Sequence, residues 1–289
     1  MTELVICDCD NTMGIPGLPI DDGQTLLYLW GRSDIDMLGI TTTFGNGTIE
    51  EVQHATKDLL GHIGKPDLPL IKGAERRGDR PGVAAVYLAE TAAANPGEIS
   101  ILGLGPLGNL HAASLSDPDF FRNVKQIVIM GGSTAPIYLG DDELPELNLA
   151  CDPEAAYAVL TAPCEITLMN AQICLEAPFS LEDMPRIKDW DDRTKKMIQD
   201  FLEHLGQKYG EAKDYLWDVL PAVYLSHPEI FGRNDILLSS TVDDLTTGMI
   251  YEAQSGDLPR INMPNKIVDI DRFDQIVNDA WGDCPVSNR

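Results

Sequence analysis

Positive charge is what this sequence has least of. Its 289 residues carry 21 lysines and arginines against 46 aspartates and glutamates, for a formal net charge of −25. That field repels a phosphate backbone or an anionic membrane surface, so nucleic acid and membrane are poor partners. Long apolar runs are also missing, and no stretch approaches the roughly 20 residues needed to span a bilayer. The opening Met1-Thr2-Glu3-Leu4-Val5-Ile6 has no basic segment and reads as the start of a strand, not a secretion signal, which points to a cytoplasmic protein. Cysteine is scarce and unpatterned. Cys7, Cys9, Cys151, Cys164, Cys174 and Cys284 show no C-x-x-C spacing and read as small hydrophobes in a reducing compartment. Repeats, low-complexity tracts and linkers are lacking, so residues 1–289 read as a single domain, long enough to bury a sizeable core.

What the chain does have is a regular alternation of short β-branched runs with amphipathic segments. Strands are expected at Leu4–Cys9, Met37–Thr42, Leu68–Ile71, Ile99–Leu104, Val124–Met130 and Glu165–Met169. Between them, helices are expected at Gly23–Gly31, Ile49–Ile63, Val83–Ala94, Leu107–Leu115 and Glu154–Leu160. This order predicts an α/β fold, a mostly parallel open sheet with helices on both faces. Farther on, Trp190–Lys208, Ala212–Ser226 and Arg272–Ala280 read as helices, and Leu237–Ser240, Met249–Tyr251 and Lys266–Asp269 as short strands. Ligands of such sheets bind beyond the carboxyl ends of the strands, so the loops after Cys9, Thr42, Leu104, Met130 and Met169 are the places to look for chemistry.

The first of those loops is acidic. Asp8 and Asp10 share a strand face, and Asp21-Asp22 opens the next helix. Helix capping accounts for one aspartate there, not four. Clustered carboxylates repel one another, and a hard divalent cation relieves the repulsion. The D-x-D-x-T start is shared with haloacid-dehalogenase-type phosphohydrolases, in which the first aspartate would be a nucleophile. These five residues alone leave both readings open.

Later blocks separate them. Leu38 to Asn46, Ile101 to Asn109, Val128 to Gly132, Glu146-Leu147-Asn148 with Asp152 to Ala156, and Trp217-Asp218 follow the acidic start in order. With it they resemble the inosine-uridine nucleoside hydrolase family along nearly the whole chain. The resemblance implies a Rossmann-like core and Ca²⁺-dependent hydrolysis of the N-glycosidic bond of ribonucleosides. It implies Ca²⁺ ligation by Asp10, Asp22, Asp218 and the carbonyl of Leu104, with Asp10 also the general base for the attacking water. Asp21, Asn148 and Glu146 become ribose ligands, with Glu146 nearest the 5′-hydroxyl. Asn46 lies near the ribose or base, and Asp8 orients Asp10 or ligates from behind it. Trp217 stands where many members have histidine. That substitution resembles the purine-specific members, in which an indole stacks on the base, so purine ribosides are the expected substrates. Pyrimidine or other N-ribosides, and a non-catalytic nucleoside binder, are the alternatives. A homodimer or homotetramer is expected from the resemblance alone.

The chain departs from the family's pattern in three places. Ten residues, Asn11–Ile20, separate Asp10 from Asp21-Asp22 where the family has three. The segment after Glu75 is short and lacks the family's H-G motif. Glycine at 140 and glutamine at 172 stand near positions where an asparagine and an aspartate are expected.

Overall fold

A computed structural model describes residues 2–80 and 82–288 of the chain. Along the first half β1 (Glu3–Cys9), α1 (Asp21–Trp30), β2 (Ile35–Thr42), α2 (Ile49–His62), β3 (Leu70–Lys72), α3 (Val83–Ala94), β4 (Ile99–Gly103) and α4 (Gly108–Ser116) alternate. There follow α5 (Phe120–Asn123), β5 (Gln126–Met130), β6 (Ile137–Leu139), β7 (Asp142–Leu144), α6 (Pro153–Leu160), β8 (Glu165–Met169), α7 (Ala171–Cys174) and β9 (Pro178–Ser180). The remainder holds α8 (Asp192–Tyr209), β10 (Lys213–Tyr215), α9 (Val219–Ser226), β11 (Asp235–Leu238), β12 (Glu252–Ala253), β13 (Arg260–Asn262) and α10 (Ile270–Asp283).

Nine strands form one sheet in the order β12-β11-β13-β8-β5-β4-β1-β2-β3. Its pairings are parallel from β13 to β3, and β11 joins β13 and β12 antiparallel at one edge. The expected mostly parallel open sheet is therefore present. Side chains alternate between its faces as the pleat requires. Val5, Cys7 and Cys9 of β1, with Val128 of β5, enter the core formed by α1, α8, α9 and α10. Ile6 of β1 and Ile127 and Ile129 of β5 enter the core under α3, α4 and α6. All six cysteines are free thiols; four are buried, and Cys151 and Cys164 are partly exposed.

Chain direction reverses at β1. β2 and β3 extend the sheet one way, and β4 returns to β1's other side. The carboxyl ends of β1 and β4 thus diverge around a crevice, the place where doubly wound sheets bind ligands. A second feature holds α1 against this point. Trp281 of α10 is fully buried, meets Phe179 and Trp190 edge-on at 5.6 and 5.4 Å, and donates its indole N–H to the Gln24 carbonyl of α1.

Several expectations need correction. α1 starts at Asp21, not Gly23; Ile20 is the residue before it, so Asp21 and Asp22 belong to the first turn instead of capping it. Ala212–Ser226 is not one helix. Lys213–Tyr215 pairs with Pro178–Ser180, and the Leu216 N–H bonds to the Ala177 carbonyl, so the chain turns a corner at Trp217-Asp218 before α9 begins. Met249–Tyr251 is not a strand beyond a single bridge from Met249 to Ser133, and the paired residues are Glu252 and Ala253. Lys266–Asp269 makes one bridge, Ile267 to Phe231, and Asp269 caps α10. The sequence reading missed β13 because Pro259 and Pro264 flank it, which argues against a strand in the sheet interior. It also missed the β6–β7 hairpin, whose Gly140 has φ +60.

Replacing Trp281 with alanine empties the space between α1, Phe179 and Trp190. The expected cost is about 3–5 kcal/mol, read as a fall in the urea midpoint. A fall of under about 1 kcal/mol would show that α10 does not anchor α1.

Candidate active site

Six aspartates converge at the crevice, and burial governs all of them. Asp8, Asp10, Asp22 and Asp218 are no more than 2% exposed. β1 delivers Asp8 and Asp10, the first turn of α1 delivers Asp21 and Asp22, and the N-terminus of α9 delivers Asp218. Carboxylate oxygens of Asp21, Asp22 and Asp218 lie within 4.8 Å of one another. The expected ligand set was Asp10, Asp22, Asp218 and the carbonyl of Leu104; Asp10 sits against this group by way of Asn46. The Asn46 backbone N–H donates to Asp10 Oδ2 at 2.6 Å, and its side-chain amide reaches Asp10 Oδ1 at 3.3 Å and Asp22 Oδ2 at 3.4 Å. Gly45 makes this approach possible: with φ +154, a Cβ there would lie 1.9 Å from Asp10 Oδ2.

Burial pushes the Asp10 carboxyl up to about 8, and neighbouring Asp21 adds to the rise. It raises Asp21 to about 6. Asp22 and Asp218 are held well above the usual carboxylate range, first by burial and then by the surrounding acids. Asp8 rises to about 7 through burial, partly offset by hydrogen bonds from Thr41 and Asn109. Asn109 is a clamp behind the site. Its amide N–H donates to Asp8 Oδ1 at 2.7 Å and to the Thr42 carbonyl at 2.9 Å, and its oxygen accepts from Ala74 N–H at 2.9 Å. Asp8 therefore sits behind Asp10 and is tied to β2 and α4.

Above this floor opens a cavity of about 920 Å³ whose lining includes Asp21, Asn46, Leu104, Glu146, Asn148 and Trp217. The Asn148 side-chain N–H donates to the carbonyls of Leu104 and Met130, each at 3.0 Å. Glu146 is held by backbone: Oε1 accepts from the N–H groups of Gly132, Asn148 and Leu149, and Oε2 accepts from Ala150 at 2.7 Å. Of the ten residues singled out from the sequence, nine lie on the floor or wall of one crevice and Asp8 sits behind them. The Asn11–Ile20 insert is folded over the rim. Thr12 Oγ1 donates to the Pro19 carbonyl, Gly17 packs against His204 of α8, and Gly17, Leu18 and Pro19 line the cavity mouth.

The sequence reading missed Asp214. It lies on β10, lines the cavity, and accepts the indole N–H of Trp217 at 2.8 Å. Burial first, and Asp21 second, raise its carboxyl to about 7. Reading 212–226 as a helix hid it, and its spacing of three residues from Trp217 was the available signal.

The model of the family described as inosine-uridine preferring nucleoside hydrolase matches residues 5–275. The chain belongs to that family. As such it is a hydrolase acting on N-glycosyl bonds. Uridine nucleosidase 1 of Arabidopsis thaliana is 29% identical over 262 residues, covering 79% of this chain and 75% of that protein. A pyrimidine-specific ribonucleoside hydrolase of Salmonella typhi is 25% identical over 305 residues, covering 93% and 94%. Two solved structures share the fold. A plant nucleoside hydrolase, the PpNRh1 enzyme, has a TM-score of 0.83 at 21% identity and covers 97% of this chain and 99% of that one. A purine-preferring ribonucleoside hydrolase from Gardnerella vaginalis has a TM-score of 0.84 at 16% identity, covering 99% and 100%.

In this nucleoside hydrolase the floor fits a hard divalent cation. Asp8 Oδ2, Asp21 Oδ1 and Asp22 Oδ1 are buried without a hydrogen-bond partner, and an all-oxygen donor set suits such an ion. The proton balance gives a test. Folded carboxyl values raised above the ordinary 3.8 mean that the ion-free folded state binds protons the unfolded chain has released. The stability these protons confer is complete below the unfolded value and is lost as pH rises through the folded ones, about 6 for Asp21 and about 8 for Asp10. Chelated protein should therefore melt at steadily lower temperature from about pH 5 to pH 8, while added Ca²⁺ restores it most at the upper end. A cation effect that is equal at both ends would remove this cluster as the site.

Proposed function

We propose that the chain is a ribonucleoside N-ribohydrolase that releases free base and ribose, with Asp10 as general base and Ca²⁺ held by Asp10, Asp22, Asp218 and the Leu104 carbonyl. The observation that carries this reading is the pairing of a buried acidic floor with a cavity wall that holds an indole. Breaking the N-glycosidic bond builds positive charge at the anomeric carbon, and surrounding carboxylates favour that charge. A bound Ca²⁺ would compensate the acids, polarise a water and orient the ribose diol.

The chain's own groups do the rest. Asp10 is aimed by two hydrogen bonds from Asn46 and takes the proton of the attacking water. Asp21 lines the cavity with Oδ1 unpartnered, ready to accept from a ribose hydroxyl. Both Asn148 donor bonds go to backbone carbonyls, so its amide oxygen is what remains for the sugar. Glu146, stapled by four N–H groups, keeps a fixed carboxylate on the wall for the 5′-hydroxyl.

For the base, the half-buried Trp217 offers a stacking face, worth about 1–3 kcal/mol per base. That face favours purine ribosides. The names of the curated relatives favour a second reading, pyrimidine ribosides, on the same floor.

The test is release of free base from inosine, adenosine, guanosine, uridine and cytidine, with Ca²⁺ and after chelation. Purine ribosides should be cleaved fastest, and only with the ion. Asp10→Asn should lower kcat by about 10²–10⁴ while leaving the fold intact. Fastest release from uridine or cytidine would replace the purine preference with the second reading. No release from any of the five would end the hydrolase proposal for ordinary ribonucleosides.

A further inference from the structure

A departing nucleobase leaves with the electron pair of the glycosidic bond and is a poor leaving group until a proton reaches it. The acids and proton donors that line this cavity include Asp214 of β10 and His204, Lys208 and Tyr209 of α8. The residue before Asp218 is Trp217, whose indole N–H is already committed to Asp214. Asp214 is largely buried, lines the cavity, and is fixed from three directions. Lys213–Tyr215 is laddered to Pro178–Ser180, with Asp214 opposite Phe179. Tyr215 stacks edge-on against Trp217 at 5.1 Å. Trp217 Nε1 holds Asp214 Oδ1 at 2.8 Å.

We propose that Asp214 is the catalytic acid for the leaving base, an assignment that rests on the riboside-hydrolase reading above. The two residues work as a pair. The indole of Trp217 offers its face to the base and its N–H to Asp214 Oδ1, the Tyr215 backbone N–H also reaches this carboxyl, and Asp214 Oδ2 carries and delivers the proton. As water oxygen bonds to the anomeric carbon and gives its proton to Asp10, the carbon–nitrogen bond breaks. Its electron pair stays on the base, and the Asp214 proton moves to a base nitrogen or oxygen. Solvent then takes the proton from Asp10 and returns one to Asp214, so no further reactant is needed.

The surroundings hold the Asp214 carboxyl above the ordinary carboxylate range. Asp21 of α1 and Asp218 at the head of α9 are the acids that face it, and burial acts in the same direction. His204 and Lys208 of α8 line the same cavity, while Lys213 beside it is paired with Glu211. Of these, His204 is the competing donor.

The test is Asp214→Asn, which keeps the acceptor for Trp217 and removes the proton. Wild type and variant would be compared on inosine and on p-nitrophenyl β-D-ribofuranoside, whose phenolate leaves without protonation. The expected result is a fall in kcat on inosine of about 10²–10⁴, with the p-nitrophenyl riboside changed less than about threefold. Equal loss on both substrates, or loss on neither, overturns the assignment and leaves the hydrolase reading standing. The selective loss appearing in His204→Ala in place of Asp214→Asn also overturns it. Wild type inert towards both substrates overturns the hydrolase reading, and this assignment with it.

Discussion

Mutual repulsion among buried carboxylates is the constraint around which this protein is built. Asp8, Asp10, Asp22 and Asp218 lie almost wholly out of water, and no lysine or arginine pairs with any of them among the described residues. Removing an ionised carboxylate from water is costly unless something replaces the lost hydration. The fold supplies part of that replacement. The N-terminal turn of α1 and the start of α9 both point at the cluster, and the positive ends of their dipoles favour negative charge. Asn46 and Asn109 add donors at Asp10 and Asp8. The unpartnered oxygens that remain set what the site still needs, a proton or a cation. Neutral substrates and a strongly acidic surface are consistent with the same economy, because the long-range field concentrates cations, not anions.

Rigidity answers the second demand. A preorganised site holds its polar groups in one geometry before any ligand arrives. Asp10 is aimed by Asn46, and Asn46 can approach only because Gly45 has no side chain. Across the cavity the loop 146–150 is wound around one carboxylate, with Glu146 collecting N–H groups from Gly132 after β5 and from its own loop. The same residue therefore has a folding role and a place on the cavity wall. A substitution there would disturb the loop as well as any contact with sugar.

Much of this was legible in the sequence, and for identifiable reasons. The period-two pattern of Leu4–Cys9 set Asp8 and Asp10 on one face, and β-α alternation placed both at a strand's carboxyl end, where the crevice is. The resemblance supplied Asp218 and Asn148, which no local pattern joins to Asp10. Boundaries failed where tertiary hydrogen bonds override periodicity. The 212–226 segment has helical spacing, yet its first residues find ladder partners in Pro178–Ser180. That single error concealed Asp214, which in an amphipathic helix reads as one more solvated acid although its spacing of three residues from Trp217 sets the two on one face. The closure of Asn11–Ile20 over the mouth depends on His204 and Met197 of α8, residues distant in sequence that offered no recognisable pattern.

The arrangement also locates where base preference can reside. Proteins named for uridine, for pyrimidine ribosides and for purine ribosides are alike in fold or sequence to this chain, so the fold alone does not separate those substrates. The rim differs in kind from the floor. It is assembled from the 14–19 turn, the β6–β7 hairpin, α8 and the corner that holds Asp214 and Trp217. The loop segments of the rim lie outside the central sheet, and closure entropy grows slowly with loop length, so they can change at little cost to the core, whereas α8 also packs into it. The floor cannot, because each aspartate there is buried beside another and any displacement leaves a charge unmatched. Chemistry fixed at the strand ends and selectivity carried by the rim follow from that difference in tolerance.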